Sequence, residues 1–199
     1  MKLDVKKEAA KPSDCIEISM TDPAFGSEIA RSSGINLGYC WQCKTCAGGC
    51  PFAEFMDYHP NQLIRLVQLG MKDVALASST IWICVGCNTC SAQCPQSIDM
   101  SNVMDALRQM AIKEGKAIAE PDILKFHKEV MNSIYRYGRI HKLELMMRYN
   151  LSRRNLFGDF KVGLRMLKKR KLALLPSKVR RLPDIRKLFK QAKAAPHAG

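Results

Sequence analysis

The sequence predicts an all-α protein, and three observations carry that expectation. Apolar residues recur at helical spacing between recognisable start and stop residues. Strand-like alternation is weak throughout. The stretch from Pro51 to Ile83, which separates two cysteine-rich segments, also reads as helix. With 199 residues, 47% of them hydrophobic and 25% charged, the chain can bury a real core and still face water.

The elements follow in order. Met1 to about Arg31 reads as a partly extended arm with mixed charge and two prolines. Its start, "MKLDVKKEAAKPSDC", has lysines without an apolar stretch behind them, so it does not read as a secretory signal. In "YHPNQLIRLVQLG", Pro60 suits a first helical turn and Gly70 a position just past the end. Leu63, Leu66, Val67 and Gly70 share one face there. In "DMSNVMDALRQMAIKEG", Ser101 is the expected N-cap and Gly115 the stop. Val103, Met104, Leu107 and Met110 make the apolar stripe, with the methionines read as packing rather than ligands.

Pro121 opens a helix to about Tyr137, with Ile123, Leu124, His127, Val130, Met131 and Ile134 on one face. A further helix is expected from His141 to Tyr149. The expected organisation is an arm (1–31), a cysteine-bearing domain (32–115) and a helical, basic extension (116–199).

The extension carries most of the charge. The formal net charge is +14, and from Lys161 to Lys190 twelve Lys and Arg face one acid, Asp184. Leu164, Leu167, Leu172, Leu174 and Leu175 interleave the charges, and Pro176 breaks the run. Such a segment suits partner docking, in which leucines anchor and charges orient. A solvated face and an anionic membrane surface are the other readings. Aromatics are sparse there and no groove-reading motif appears, so nucleic acid is not expected as a partner. No apolar run approaches the roughly 20 residues that span a bilayer, so no transmembrane segment is expected. The expectation is a soluble, cytoplasmic protein.

Nine cysteines are many for such a chain, and in a reducing compartment clustered thiols point to metal. Cys15 stands apart and reads as a reduced bystander. The other eight fall into two copies of C-x-x-C-x-x-C-x-x-x-C-P. One copy is Cys40, Cys43, Cys46 and Cys50 before Pro51; the other is Cys84, Cys87, Cys90 and Cys94 before Pro95. Zinc sites pair their ligands across longer spacers and have no use for a third close thiolate. The spacing matches the bacterial ferredoxin pattern, in which the fourth cysteine ligates the other cluster. That match implies two [4Fe–4S] clusters, one on Cys40, Cys43, Cys46 and Cys94, the other on Cys84, Cys87, Cys90 and Cys50. The expected fold is then an alpha-helical ferredoxin with a C-terminal helical basic extension. An oxidised cluster with its thiolates carries about −2, which would bring the loaded chain to about +10.

Four thiolates per cluster leave no iron open to substrate, which argues for electron transfer. His59, His127, His141 and His197 are scattered, and no nucleophile motif is present, so no catalytic residue is expected.

The runs "GYCWQCKTCAGGCPF", "HPNQLIRLVQLG" and "WICVGCNTCSAQCPQSIDMSNVMDALRQMA" resemble the iron–sulfur C subunit of heterodisulfide reductases, over about Ser32 to Gly115. "KLALLPSKVRRLPDI" resembles the C-terminal segment of the same family. The cysteine motifs alone are shared with iron–sulfur subunits of succinate and anaerobic glycerol-phosphate dehydrogenases. The resemblance implies a non-catalytic relay in a heterodisulfide reductase-like complex. It would carry electrons between a flavin-containing partner, the A subunit, and a cysteine-rich catalytic partner that reduces the disulfide, the B subunit. This chain lacks the cysteine-rich motif of that catalytic partner. Two alternatives remain at this level: the iron–sulfur subunit of a membrane-bound, quinone-linked oxidoreductase, and a free-standing ferredoxin.

Overall fold

The computed structural model describes residues 21–152 and 179–194. Among them the regular structure is helical throughout, with no strand. The chain divides into two compact units between Ala119 and Glu120. The Met1 to Met20 part of the arm, Cys15, and the leucine-and-lysine run from 160 to 176 lie outside the described residues.

The first unit is organised by the helix that follows the second cysteine motif. Seven helices build it: α1 (Phe25–Ser33), α2 (Thr45–Gly48), α3 (Pro60–Gln68), α4 (Lys72–Ala77), α5 (Thr80–Ile83), α6 (Thr89–Ala92) and α7 (Met100–Lys113). Helix α7 packs against α1, α4, α5 and α6. Its expected stripe is buried: Val103, Met104, Leu107 and Met110 are joined by Met100 and Ala111. Burying a side chain of this size stabilises by about 1.5–3 kcal/mol. The N-cap differs from expectation. Asp99, not Ser101, caps α7, and its carboxylate accepts from the Ser101 and Asn102 N–H groups. Ser101 helps by donating its hydroxyl to Asp99 at 2.6 Å.

Helix α3 starts at Pro60 and hands over to Gly70, whose φ is 71°. Leu63 and Val67 are fully buried, and Ile64 joins them. The arm expectation fails at its end. Residues 25–31 are helical, because Phe25 and Ile29 pack with no exposure into α3 and α7. Asp22 N–H donates to the Gly70 carbonyl at 2.8 Å, which ties the start of that segment to the α3–α4 turn. Lys72 closes the same corner, 2.6 Å from Glu114 and within 4 Å of Asp22 and Glu28.

The second unit contains α8 (Pro121–Tyr137), α9 (Lys142–Ser152) and α10 (Leu182–Ala194). Helix α8 matches its expected span and ends on Gly138 at φ 77°. Its expected face is only partly inward. His127 and Met131 are exposed, while Phe126 meets Tyr149 edge-on at 5.4 Å. Helix α9 starts a residue later than expected and runs on to Ser152. Glu129 and Glu144 hold Arg148 and Arg136 across the α8–α9 pair. Helix α10, the last part of the basic segment, rests on α8 through Phe189 against Tyr135 and Arg186 over the Tyr135 ring.

Candidate metal centre

Each cysteine motif is a loop with the same backbone recipe. Cys40 follows a short 3-10 turn (Leu37–Tyr39), and Cys84 follows α5. Two left-handed residues then alternate with the second cysteine. In the first loop they are Gln42 (φ 57°) and Lys44 (φ 64°); in the second they are Gly86 (φ 63°) and Asn88 (φ 60°). A single turn of helix follows in both, α2 and α6, carrying the third cysteine. Pairs of left-handed residues curl the chain around a point, and N–H groups in such a curl turn inward.

The curls are held from outside. Gln68 Nε2 donates to the Leu37 carbonyl at 2.7 Å, fixing the entry to the first loop against α3. Arg108 on α7 donates to the carbonyls of Ile81 and Cys84, fixing the entry to the second. The two single-turn helices pack on each other. Gly49 and Gln93 occupy the same step of their motifs, and a Cβ at Gly49 would lie 2.4 Å from Gln93 Oε1.

Two cavities result. The first is lined by Cys40, Cys43 and Cys46 of the first loop and by Cys90 and Cys94 of the second. The second is lined by Cys84, Cys87 and Cys90 of the second loop and by Cys50 of the first. Cys90 and Met100 form a wall common to both. All eight cysteines are free thiols. Among the described residues no three Cys, His, Asp or Glu side chains converge as a single ion would need. The sulfurs instead ring hollows, as fits a multi-iron group rather than one zinc ion, and soft thiolates suit that group.

Thiol electrostatics repeat in the two copies. Cys43 and Cys87 are exposed, and each lies beside a threonine hydroxyl two residues on, at 3.3 Å and 3.4 Å. Those hydroxyls hold both thiols below the ordinary value. Burial pushes the Cys46 thiol up to about 11, with Cys90 and Cys40 adding to the effect, and burial raises Cys90 likewise. A positive metal core held by these thiols would reverse that penalty, because it binds the thiolate form.

The polar residues behind the sulfurs were not foreseen from the sequence. Gln42 Nε2 donates to Cys40 Sγ at 3.4 Å, and its Oε1 accepts from Asn61 Nδ2 at 3.2 Å. Asp57 ties the inter-motif segment to α5, accepting from Ser79 N–H at 2.7 Å and Thr80 N–H at 3.0 Å. The histidines stay outside the centre: neither His59, His127 nor His141 lines either cavity, and His197 is outside the described residues.

Comparison with known proteins fits this geometry. A family model described as a 4Fe-4S dicluster domain matches residues 39–99. A protein of Archaeoglobus profundus, named as like the C subunit of heterodisulfide reductase, is 33% identical over 171 residues, covering 85% of this chain and 80% of the relative. An iron–sulfur C subunit of the CoB–CoM heterodisulfide reductase of Methanocaldococcus jannaschii is 30% identical over 132 residues, covering 62% and 67%. The C subunit of the H2:CoB–CoM heterodisulfide,ferredoxin reductase of Methanothermobacter marburgensis is 35% identical over 94 residues, covering 47% and 51%. In that relative and its neighbours in methanogens, the matched stretch spans about half of their length.

Proposed function

The chain belongs to the family of heterodisulfide reductase iron–sulfur C subunits, and from that premise we propose that it is the electron relay of a multisubunit oxidoreductase. In this reading Cys40, Cys43, Cys46 and Cys94 hold one [4Fe–4S] cluster, and Cys84, Cys87, Cys90 and Cys50 hold a second. The observation that carries it is the lining of the two cavities: the last cysteine of each loop lies among the first three cysteines of the other, with Cys90 reaching both walls.

When bound, each such group takes up and gives back one electron without making or breaking a bond to substrate. The chain's own part is to hold, orient and insulate. Four thiolates per site fill the ligand set, so nothing here offers a position for a disulfide to be cleaved. The left-handed curls turn backbone N–H groups toward the sulfurs, and Met56, Met100 and Met104 close the second cavity with apolar bulk. Electrons enter from a flavin-containing partner and leave toward a cysteine-rich, disulfide-reducing one. Trp41 and Val85 directly follow the first cysteine of each motif and are 72% and 61% exposed, which suits contact with a partner at both cavities. Residues 116–199, with their basic helix, are the docking extension of this reading. No helix among the described residues is long and apolar enough to cross a membrane.

The test is anaerobic copurification of the native complex, with identification of its components. A flavoprotein together with a cysteine-rich partner is the expected result. A haem- or quinone-binding membrane protein in their place would contradict the proposal.

A further inference from the structure

The two cysteine loops are near copies, so each position in one serves as a control for the other. The threonines match, as do the left-handed residues before them. Among the positions at which the copies differ, the residue before the second cysteine is Gln42 in one and Gly86 in the other. Glycine adopts a positive φ freely. A residue with a side chain is strained there. Strain of this kind persists where the side chain has a task.

The task is visible in the hydrogen bonds. Asn61, on the first turn of α3, is only 6% exposed. It donates to Gln42 Oε1 at 3.2 Å, which turns the other end of that amide toward Cys40 Sγ at 3.4 Å. At the matching step of the second loop Gly86 carries no side chain to offer the Cys84 sulfur a donor; that loop's polar neighbour is instead the Ser91 hydroxyl beside Cys90, where the first loop has Ala47. Lys44 against Asn88 is a second difference of the same sign, since a cation lines the first cavity where a neutral amide lines the second. Lys44 is exposed, so water and salt weaken its share.

Reduction adds negative charge that spreads onto the sulfurs, and an N–H aimed at a sulfur offsets it. We propose that the Gln42–Asn61 pair is a positioning device that makes the cluster of the first cavity easier to reduce than that of the second. An electron shared by the two sites then rests on the first: the second is oxidised by one electron, the first reduced by one, and no proton or bond changes. This rests on the two-cluster reading above.

The experiment is an EPR-monitored redox titration of the anaerobically purified holoprotein and its variants. Gln42→Gly copies the second loop and releases the backbone strain, so the loop has every reason to fold. It should lower the higher of the two midpoints by about tenfold in the reduction equilibrium, about 59 mV for a one-electron couple, and leave the lower one in place. Asn61→Leu, which frees the Gln42 amide without touching the loop, should move the same midpoint in the same direction by less. Should Gln42→Gly lose iron, Asn61→Leu decides on the same terms. Two signals of which neither moves, or movement of the lower one, would overturn the proposal while leaving the relay intact. A single cluster signal would overturn both.

Discussion

Cys50 and Cys94 each close their own motif in sequence, yet each lines the cavity of the other motif. Loss of one such thiol should therefore be felt across the pair. Cys94→Ser should remove or convert the cluster built on Cys40, Cys43 and Cys46 and spare the one built on Cys84, Cys87 and Cys90. Cluster-resolved EPR of the variant checks this, and loss of the second cluster alone would contradict it. Asp57 gives a prediction of a different kind. Burial pulls its carboxyl upward, but hydrogen bonds from the Thr80 hydroxyl and from the Ser79, Thr80 and Tyr58 N–H groups outweigh it, and the net shift is downward. A lowered folded value stabilises at pH above the ordinary carboxylate range and is lost as pH falls through it. Asp57→Asn should flatten that acid limb in pH-dependent denaturation. Legibility in the sequence also varies most at this scale. Cysteine spacing announces itself, because every ligand lies in a short local repeat. The Gln42–Asn61 and Asp57–Thr80 contacts join residues 19 and 23 positions apart, which no local pattern marks.

At the scale of the element, periodicity decided what could be foreseen. Helices α3, α7 and α8 carry apolar stripes with proline or glycine at their ends; all three form where expected, and in α3 and α7 the stripe is also the buried face. Helix α1 has only Phe25 and Ile29 as anchors, and with two anchors it reads as coil until α3 and α7 are there to receive it. The cap of α7 falls to Asp99 for a local reason. Asp99 and Ser101 are both good caps, and the carboxylate wins because it accepts two backbone N–H bonds while Ser101 donates to it. Two substitutions test how the helices are held. Leu107→Ala empties a fully buried site on α7 and should destabilise by about 2–5 kcal/mol in denaturant unfolding. Gly70→Ala meets both a positive φ and the Asp22 carbonyl oxygen, 2.5 Å from the new Cβ. It should destabilise by more than about 1 kcal/mol, with α1 protection in hydrogen exchange falling first.

On the scale of the whole molecule, the chain separates the centre from the extension. Every described residue that lines either cavity belongs to the unit that ends at Ala119. Deleting Lys161 to Lys190 should therefore leave the iron content of the chain unchanged while abolishing assembly with its partners, as read by copurification. The proposed clusters would in turn hold the first unit together. Six of the eight thiols are part-buried in facing loops, and as thiolates their negative charges need a positive core between them. The proposed relay would stand on two four-iron groups held across these two loops. Metal and acid-labile sulfide analysis of the anaerobically purified protein tests that most directly. About eight irons and about eight sulfides per chain are the expected result. Stoichiometric zinc, or only about four irons, would contradict it.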